Sequence, residues 1–238
     1  MFDFIDKVVI ITGAGGALGS QVAELFYHAG AKVALYDILP DDKLQLKFPK
    51  LKNLENTLFQ SVNLTEEESI QNAIEKTINK FGHIDILVNI AGGFRMGPLL
   101  HETSENDFDF MIKLNTKTMF LTSKAVIPYM LKQGGGKIIS ISARAALKGV
   151  GKMAPYIASK SMVIRLTESM ASELRDSNIN VNCILPGTID TSVNRADMPN
   201  ADFSKWVDPK DLGNVILFLA SEEAKGINGA AIPVYGLS

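Results

Sequence analysis

Val8-Val9-Ile10-Ile11-Thr12-Gly13-Ala14-Gly15-Gly16-Ala17-Leu18-Gly19 is the stretch that decides the fold. Its first four residues are β-branched and apolar without alternation, the mark of a strand covered on both faces. The residues that follow are small and rich in glycine. From Leu18 to Ala29 apolar side chains return at helical spacing, and Gly30 stops them. The turn therefore joins a buried strand to the start of a helix. Free N–H groups and a partial positive charge gather at such a start, where phosphate oxygens can bind. A glycine turn also serves ordinary tight turns, but one set between strand and helix favours a dinucleotide.

Working outward, the same alternation runs along the chain. Strand patterns occupy Lys32 to Tyr36, Leu58 to Val62, Ile84 to Asn89, Lys137 to Ile141, Ile179 to Leu185 and Ala230 to Val234. Asp41 to Asn56 reads as a short helix and a turn. Thr65-Glu66-Glu67-Glu68 has the form of a capping box opening a helix to Phe81. Two helical stretches follow, Ser104 to Asn115 and Thr116 to Lys132, before the break at Gly134-Gly135-Gly136. A long helix carries Tyr156 near its start and ends near Asp176, and another spans Pro209 to Ala220. Ser192 to Val207 is weakly patterned and reads as a lid or a surface loop. Apolar strands between helices predict a parallel sheet of about seven strands with helices on both faces. Right-handed crossovers make this an α/β doubly wound fold, the Rossmann type. No linker interrupts it, so the expectation is one domain over residues 1–238.

Composition narrows the class. The 238 residues are 46% hydrophobic and 21% charged, with a net charge of −2. No long basic run favours nucleic acid. Cys183 is the lone cysteine, and His28, His83 and His101 lack metal-ligand spacing, so no metal is expected. The start, Met1-Phe2-Asp3-Phe4-Ile5-Asp6, does not read as a signal peptide, and no apolar run reaches spanning length. The expected location is the cytoplasm, without a membrane partner.

Several segments lie at carboxyl ends of strands, where doubly wound folds bind ligands. Asp37 ends the second strand, eighteen residues after Gly19. A carboxylate there accepts hydrogen bonds from ribose hydroxyls and repels a 2′-phosphate, and no Arg or Lys lies in the glycine turn. NAD is thus expected over NADP, against the plainer reading of Asp37 as the start of a turn. Asn89-Ile90-Ala91-Gly92 follows the fourth strand and Pro186-Gly187-Thr188-Ile189-Asp190-Thr191 the sixth. Their small residues leave room for a ligand.

Tyr156-Ile157-Ala158-Ser159-Lys160 sets a phenol and an amine four residues apart, on one side of a helix. A nearby ammonium favours phenolate and lowers the tyrosine pKa, as general acid–base work requires. Taken with the turn Gly13, Gly15, Ala17, Leu18 and Gly19, with Asn89 to Gly92 and with Pro186-Gly187, nearly the whole chain resembles the short-chain dehydrogenase/reductase family in its single-domain form. There is some likeness to 3-oxoacyl-acyl-carrier-protein reductases.

The resemblance implies roles. Tyr156 exchanges a proton with the substrate oxygen, and Lys160 binds the nicotinamide ribose and lowers the Tyr156 pKa. Asn115 holds a water for the proton relay. Asn63 and Leu64 lie near the adenine, and Ile189 and Thr191 near the carboxamide or phosphates. The implied reaction is hydride transfer between nicotinamide and a small ketone or secondary alcohol, by a homodimer or homotetramer paired through the helices of Thr116–Lys132 and Pro155–Asp176. Two positions depart from the pattern. Ala17 replaces a glycine of the phosphate turn. The family's catalytic serine position is Ala143, and Ser142 precedes it by one. Adjacent strand residues point to opposite faces, so Ser142 serves only if the strand end bulges or the loop to Tyr156 holds an extra residue. Ala143-Arg144-Ala145-Ala146-Leu147 also resembles dihydropteridine reductases, which work without the serine. A pterin-type C=N reductase is therefore an alternative, as is a catalytically silent dinucleotide sensor. Arg95 and Arg144, at the expected cleft mouth, stand either as anion contacts or as surface residues, and Trp206 and Tyr235 either line a pocket or pack.

Overall fold

A computed structural model of the chain describes residues 2–51 and 54–237. Seven strands form one parallel sheet: β1 Val8–Thr12, β2 Lys32–Asp37, β3 Thr57–Ser61, β4 Ile86–Asn89, β5 Gly136–Ile141, β6 Ile179–Pro186 and β7 Ala231–Val234. Their order across the sheet is β3-β2-β1-β4-β5-β6-β7, and every pairing is parallel. The order reverses at β1, which lies between β2 and β4. The crevice beyond that reversal is where such sheets take ligands.

The helices are α1 Ala17–His28, α2 Asp41–Leu46, α3 Glu67–Phe81, α4 Glu105–Ile112, α5 Thr118–Gln133, α6 Ala154–Leu174, α7 Ser192–Asp197 and α8 Pro209–Ala220. Inward residues of alternate parity fill two layers. On one face Val9, Ile11, Val33 and Ile139 pack with Val22 and Phe26 of α1 and Ile216 of α8. On the other, Ile10, Ala34, Leu87 and Ile138 pack with Ile70 and Ile74 of α3 and Val126 and Met130 of α5. This two-sided burial is the reason the strands carry continuous apolar runs. Cys183, on β6, is buried.

Two local expectations are corrected, and a third segment gains detail. The capping box at Thr65 does not form. Helix α3 starts at Glu67 without a side-chain cap, and the Thr65 hydroxyl instead donates to Asn63 Oδ1 at 2.7 Å. The stretches read as ending at Asn115 and starting at Thr116 are joined by a π-helical turn, Lys113–Lys117, that links α4 directly to α5. The weak segment after Thr191 contains the one-and-a-half-turn helix α7 and a 3₁₀ turn at Phe203–Lys205. Among the described residues, no helix is long and apolar enough to cross a membrane.

Candidate active site

The glycine turn is built for close approach. Gly13 has φ +64°, and a Cβ there would lie 2.9 Å from the Ala91 Cα and N atoms. A Cβ on Gly19 would fall 2.1 Å from the Gly13 carbonyl oxygen. Thr12 Oγ1, at the end of β1, accepts hydrogen bonds from the Ile90 and Ala91 N–H groups at 3.0 and 3.2 Å. The turn and the end of β4 are thereby sewn together. No side chain caps the start of α1, and its first turn holds no acidic residue. Such a start fits an anionic diphosphate. Ala17 is exposed at the first position of α1, so its methyl leaves the turn intact, and Leu18 is turned into the core.

Asp37 sits over this turn. Gly15 N–H donates to its Oδ2 at 2.8 Å and Leu39 N–H to its Oδ1 at 3.1 Å. A Cβ on Gly15 would lie 3.1 Å from that carboxylate oxygen. Asn63 uses its carboxamide within its own turn. Nδ2 donates to Glu66 Oε1 at 2.7 Å, and Oδ1 accepts from the Thr65 N–H as well as the Thr65 hydroxyl. Leu64 beside it is buried. Asn89 is buried in the sheet, where Nδ2 donates to Ser123 Oγ at 3.1 Å and Ser140 Oγ at 3.3 Å. Gly187 N–H donates to the Val234 carbonyl after Pro186. Ile189 bridges to Val207, and Thr191 Oγ1 accepts from the Asn194 N–H to cap α7.

Tyr156 and Lys160 lie in the first two turns of α6. A chain of hydrogen bonds ties this helix to the π-helical turn. Asn115 Oδ1 accepts from Gly93 N–H at 2.8 Å, and Nδ2 donates to the Gly93 carbonyl at 3.0 Å and to Ser159 Oγ at 3.0 Å. Ser159 Oγ in turn donates to the Tyr156 carbonyl at 2.7 Å. The Thr116 hydroxyl donates to the Ser159 carbonyl at 2.9 Å. Ser159 was not among the residues singled out from the sequence. Its place three residues after Tyr156, on the same helix face, is the signal that points to it. Gly92 completes the contact, since a Cβ there would lie 2.7 Å from Asn115 Oδ1 and 3.1 Å from Lys160 Nζ.

Two features of this cluster bear on the expectations for Ser142 and for Tyr156. Ser142 is 2% exposed, and its hydroxyl donates to the Lys160 carbonyl at 2.8 Å. In this structure its proton points to α6. Ala143 follows in extended backbone. The second concerns electrostatics. Lys160 Nζ donates to the Ile141 carbonyl at 2.9 Å and is fully enclosed, which brings its pKa down to about 8. Burial pushes Tyr156 up to about 12, with no lowering by Lys160. Desolvation is the leading cause of both shifts.

The remaining mouth residues are occupied. Arg95 is ion-paired with Asp107, and its guanidinium lies 4.6 Å from the Phe110 ring centroid. Arg144 lies over the Tyr235 ring at 5.5 Å, and Trp206 packs against Phe203 at 4.7 Å between ring centroids. Phe94 meets Tyr156 edge-on at 4.9 Å. Among the described residues no group of three or more His, Cys, Asp and Glu is placed to hold a metal.

Cradle, ordered strand ends and the Tyr–Lys pair together define a nicotinamide-dependent oxidoreductase. The chain belongs to the short-chain dehydrogenase family, whose model matches residues 7–202. It is 35% identical over 242 residues to a 3-oxoacyl-[acyl-carrier-protein] reductase of Thermotoga maritima, covering 97% of this chain and 96% of that one. Among solved structures it resembles a carveol dehydrogenase from Mycobacterium avium in complex with NAD, with TM-score 0.90, 27% identity and coverage of 99% and 98%. It also resembles ElxO with NADP bound, with TM-score 0.89, 30% identity and 97% coverage of each chain. The protein is an NAD(P)-dependent oxidoreductase acting on alcohol or ketone substrates.

Proposed function

We propose that the protein is an NAD-preferring reductase or dehydrogenase that works without a catalytic serine, as one domain, with Tyr156 as general acid and base. The observation that carries this is the bonded series Gly93–Asn115–Ser159–Tyr156, with Lys160 enclosed one turn on and the Ser142 proton directed away to Lys160. When bound, the cofactor supplies or accepts the hydride. Gly13, Gly15, Ala17, Leu18 and Gly19 hold its diphosphate, and Asp37 takes the adenosine ribose hydroxyls. Asn63, Leu64, Asn89, Ala91, Gly92, Pro186, Gly187, Ile189 and Thr191 complete its crevice. The orientation of the Asp37 carboxylate above Gly15 supports NAD, because a 2′-phosphate would meet two negatively charged oxygens there.

Tyr156 gives its proton to the substrate oxygen in reduction and takes it back in oxidation. With its pKa raised by burial, Tyr156 stays protonated at neutral pH and so carries the proton that reduction consumes, while its phenolate, once formed, is a strong base. Asn115 shapes the turn that holds Gly93 against α6 and sets the relay water.

Subunits of this enzyme pair through α4, α5 and α6, as a homodimer or homotetramer in the cytoplasm. Phe108, Phe110, Phe120 and Met162 are large apolar side chains left exposed on these helices. Exposed apolar patches of that kind mark association surfaces.

The test is a panel of ketones and secondary alcohols followed by nicotinamide absorbance, with Tyr156→Phe as control. Turnover by the parent and a loss of about 10²–10⁴-fold in the variant is expected for a general acid–base group. Equal turnover by both proteins would overthrow the assignment. A protein that binds NADH and turns over nothing would be the silent sensor instead.

A further inference from the structure

Beyond the catalytic groups, the mouth of the site has a definite character. Asn115 bonds both the N–H and the carbonyl of Gly93, which fixes the segment that follows β4. The next residue, Phe94, is thereby held with its ring perpendicular to that of Tyr156, at 4.9 Å between centroids. It still leaves 53% of its surface exposed. Within Gly92–Gly97 the one charged side chain is Arg95. It is turned to α4, where it pairs with Asp107 and covers Phe110. Three residues past Phe94, Gly97 N–H donates to the Lys152 carbonyl at 2.8 Å, joining this loop to the loop that leads into α6. Met96 on the first loop and Leu147 and Val150 on the second are also exposed. Large apolar side chains standing in water at the rim of a catalytic cleft are costly unless a ligand covers them.

We propose that Phe94 determines the substrate class of the site described above, which takes ketones and secondary alcohols whose reacting carbon bears an aromatic or alicyclic group. The inference rests on Tyr156 being the acid–base residue. The substrate ring packs on the part of Phe94 that Tyr156 leaves open, and its carbonyl oxygen faces the Tyr156 hydroxyl. In reduction the C=O π bond breaks. The carbon gains a hydride, with two electrons from the reduced nicotinamide, and the oxygen gains the Tyr156 proton, which solvent then replaces. A hydroxylated, sugar-like ketone would set hydroxyls against Phe94, whose ring offers them no hydrogen-bond partner of ordinary strength, and unpaired polar groups weaken binding.

The experiment compares acetophenone and cyclohexyl methyl ketone with erythrulose, a hydroxylated ketone, using NADH and four proteins: the parent, Phe94→Ala, Phe94→Tyr and Tyr156→Phe. The parent is expected to favour the two ring ketones in kcat/KM by about tenfold or more, the scale that aromatic packing and ring burial supply. Phe94→Ala is expected to lower kcat/KM for the ring ketones by about tenfold, mostly through KM, with erythrulose changed less than about twofold. Phe94→Tyr restores the ring preference. A parent that favours erythrulose, or a Phe94→Ala loss equal for both classes, overturns the inference. If that happens while Tyr156→Phe is dead on every ketone, only the substrate class is wrong. Activity surviving in Tyr156→Phe would defeat the catalytic reading and this inference with it.

Discussion

Ser142 Oγ donates its proton to the main-chain carbonyl of Lys160 at 2.8 Å. The hydroxyl nearest to the expected serine position is thus a strut between β5 and α6. Ser142→Ala should keep kcat/KM within about threefold of the parent, because no oxyanion donor is lost. It should lower stability by about 1 kcal/mol, the worth of a buried hydrogen bond. Steady-state kinetics and chemical denaturation read the two effects apart. A rate loss on the order of 10²-fold would restore Ser142 to the catalytic set.

Burial sets the protonation of Lys160. Its folded pKa is about 8 against an ordinary 10.5. Below about pH 8 both folded and unfolded states hold the proton, and the enclosed ammonium is a cost to folding. Between these two values the folded protein releases the proton and the unfolded chain keeps it, so stability rises with pH. The gain is complete above 10.5 and is lost as pH falls through 8. The unfolding free energy of the cofactor-free parent, minus that of Lys160→Met, should therefore rise by about 3 kcal/mol across the window. Parallel curves would show that the ammonium is solvated.

Asp37 holds the Gly15 N–H of the turn proposed to take the nucleotide. Asp37→Ala should reduce the kcat/KM ratio of NAD over NADP by about tenfold or more, the share expected of one charge-assisted contact. An unchanged ratio would assign the carboxylate to the turn alone.

Gly92 faces both Asn115 and Lys160. A methyl at this position would press on Asn115 Oδ1 at 2.7 Å and Lys160 Nζ at 3.1 Å. Gly92→Ala should lower kcat by about 10²-fold, as small misplacements of reacting groups do. The melting temperature should fall only a few degrees, on the order of 1 kcal/mol of strain. Full activity would mean that the loop relaxes freely.

Much of this was legible in the residues. Continuous apolar strands fixed between helices announce a two-sided sheet, and the run from Val8 to Gly19 locates its crevice. Helical spacing puts Tyr156 and Lys160 on one side of a helix, and the resemblance to the short-chain dehydrogenase/reductase family is what gave them roles. The side chains that turned out differently are those whose hydrogen bonds cross between elements. Thr65 has the residues of a cap, but Asn63 two positions earlier captures its hydroxyl. Ser142 lies at a strand end where either face is open to a sequence reading, and the structure places its hydroxyl on the Lys160 carbonyl. Asn115 looked like the end of one helix, and the π turn that presents it depends on Gly93 and Ser159, 22 and 44 residues away. The Tyr156 pKa depends on enclosure, which local spacing does not contain.

The seam between Thr12 and the end of β4 has a temporal consequence. Its two bonds span 78 and 79 residues. A growing chain that has emerged only through β3 carries the whole glycine turn and Asp37, yet lacks the Ala91 backbone that faces Gly13. The β4 side of the turn is therefore missing until β4 docks beside β1. A cofactor that needs both sides of the turn, as proposed, would meet its full site only after the centre of the sheet has formed.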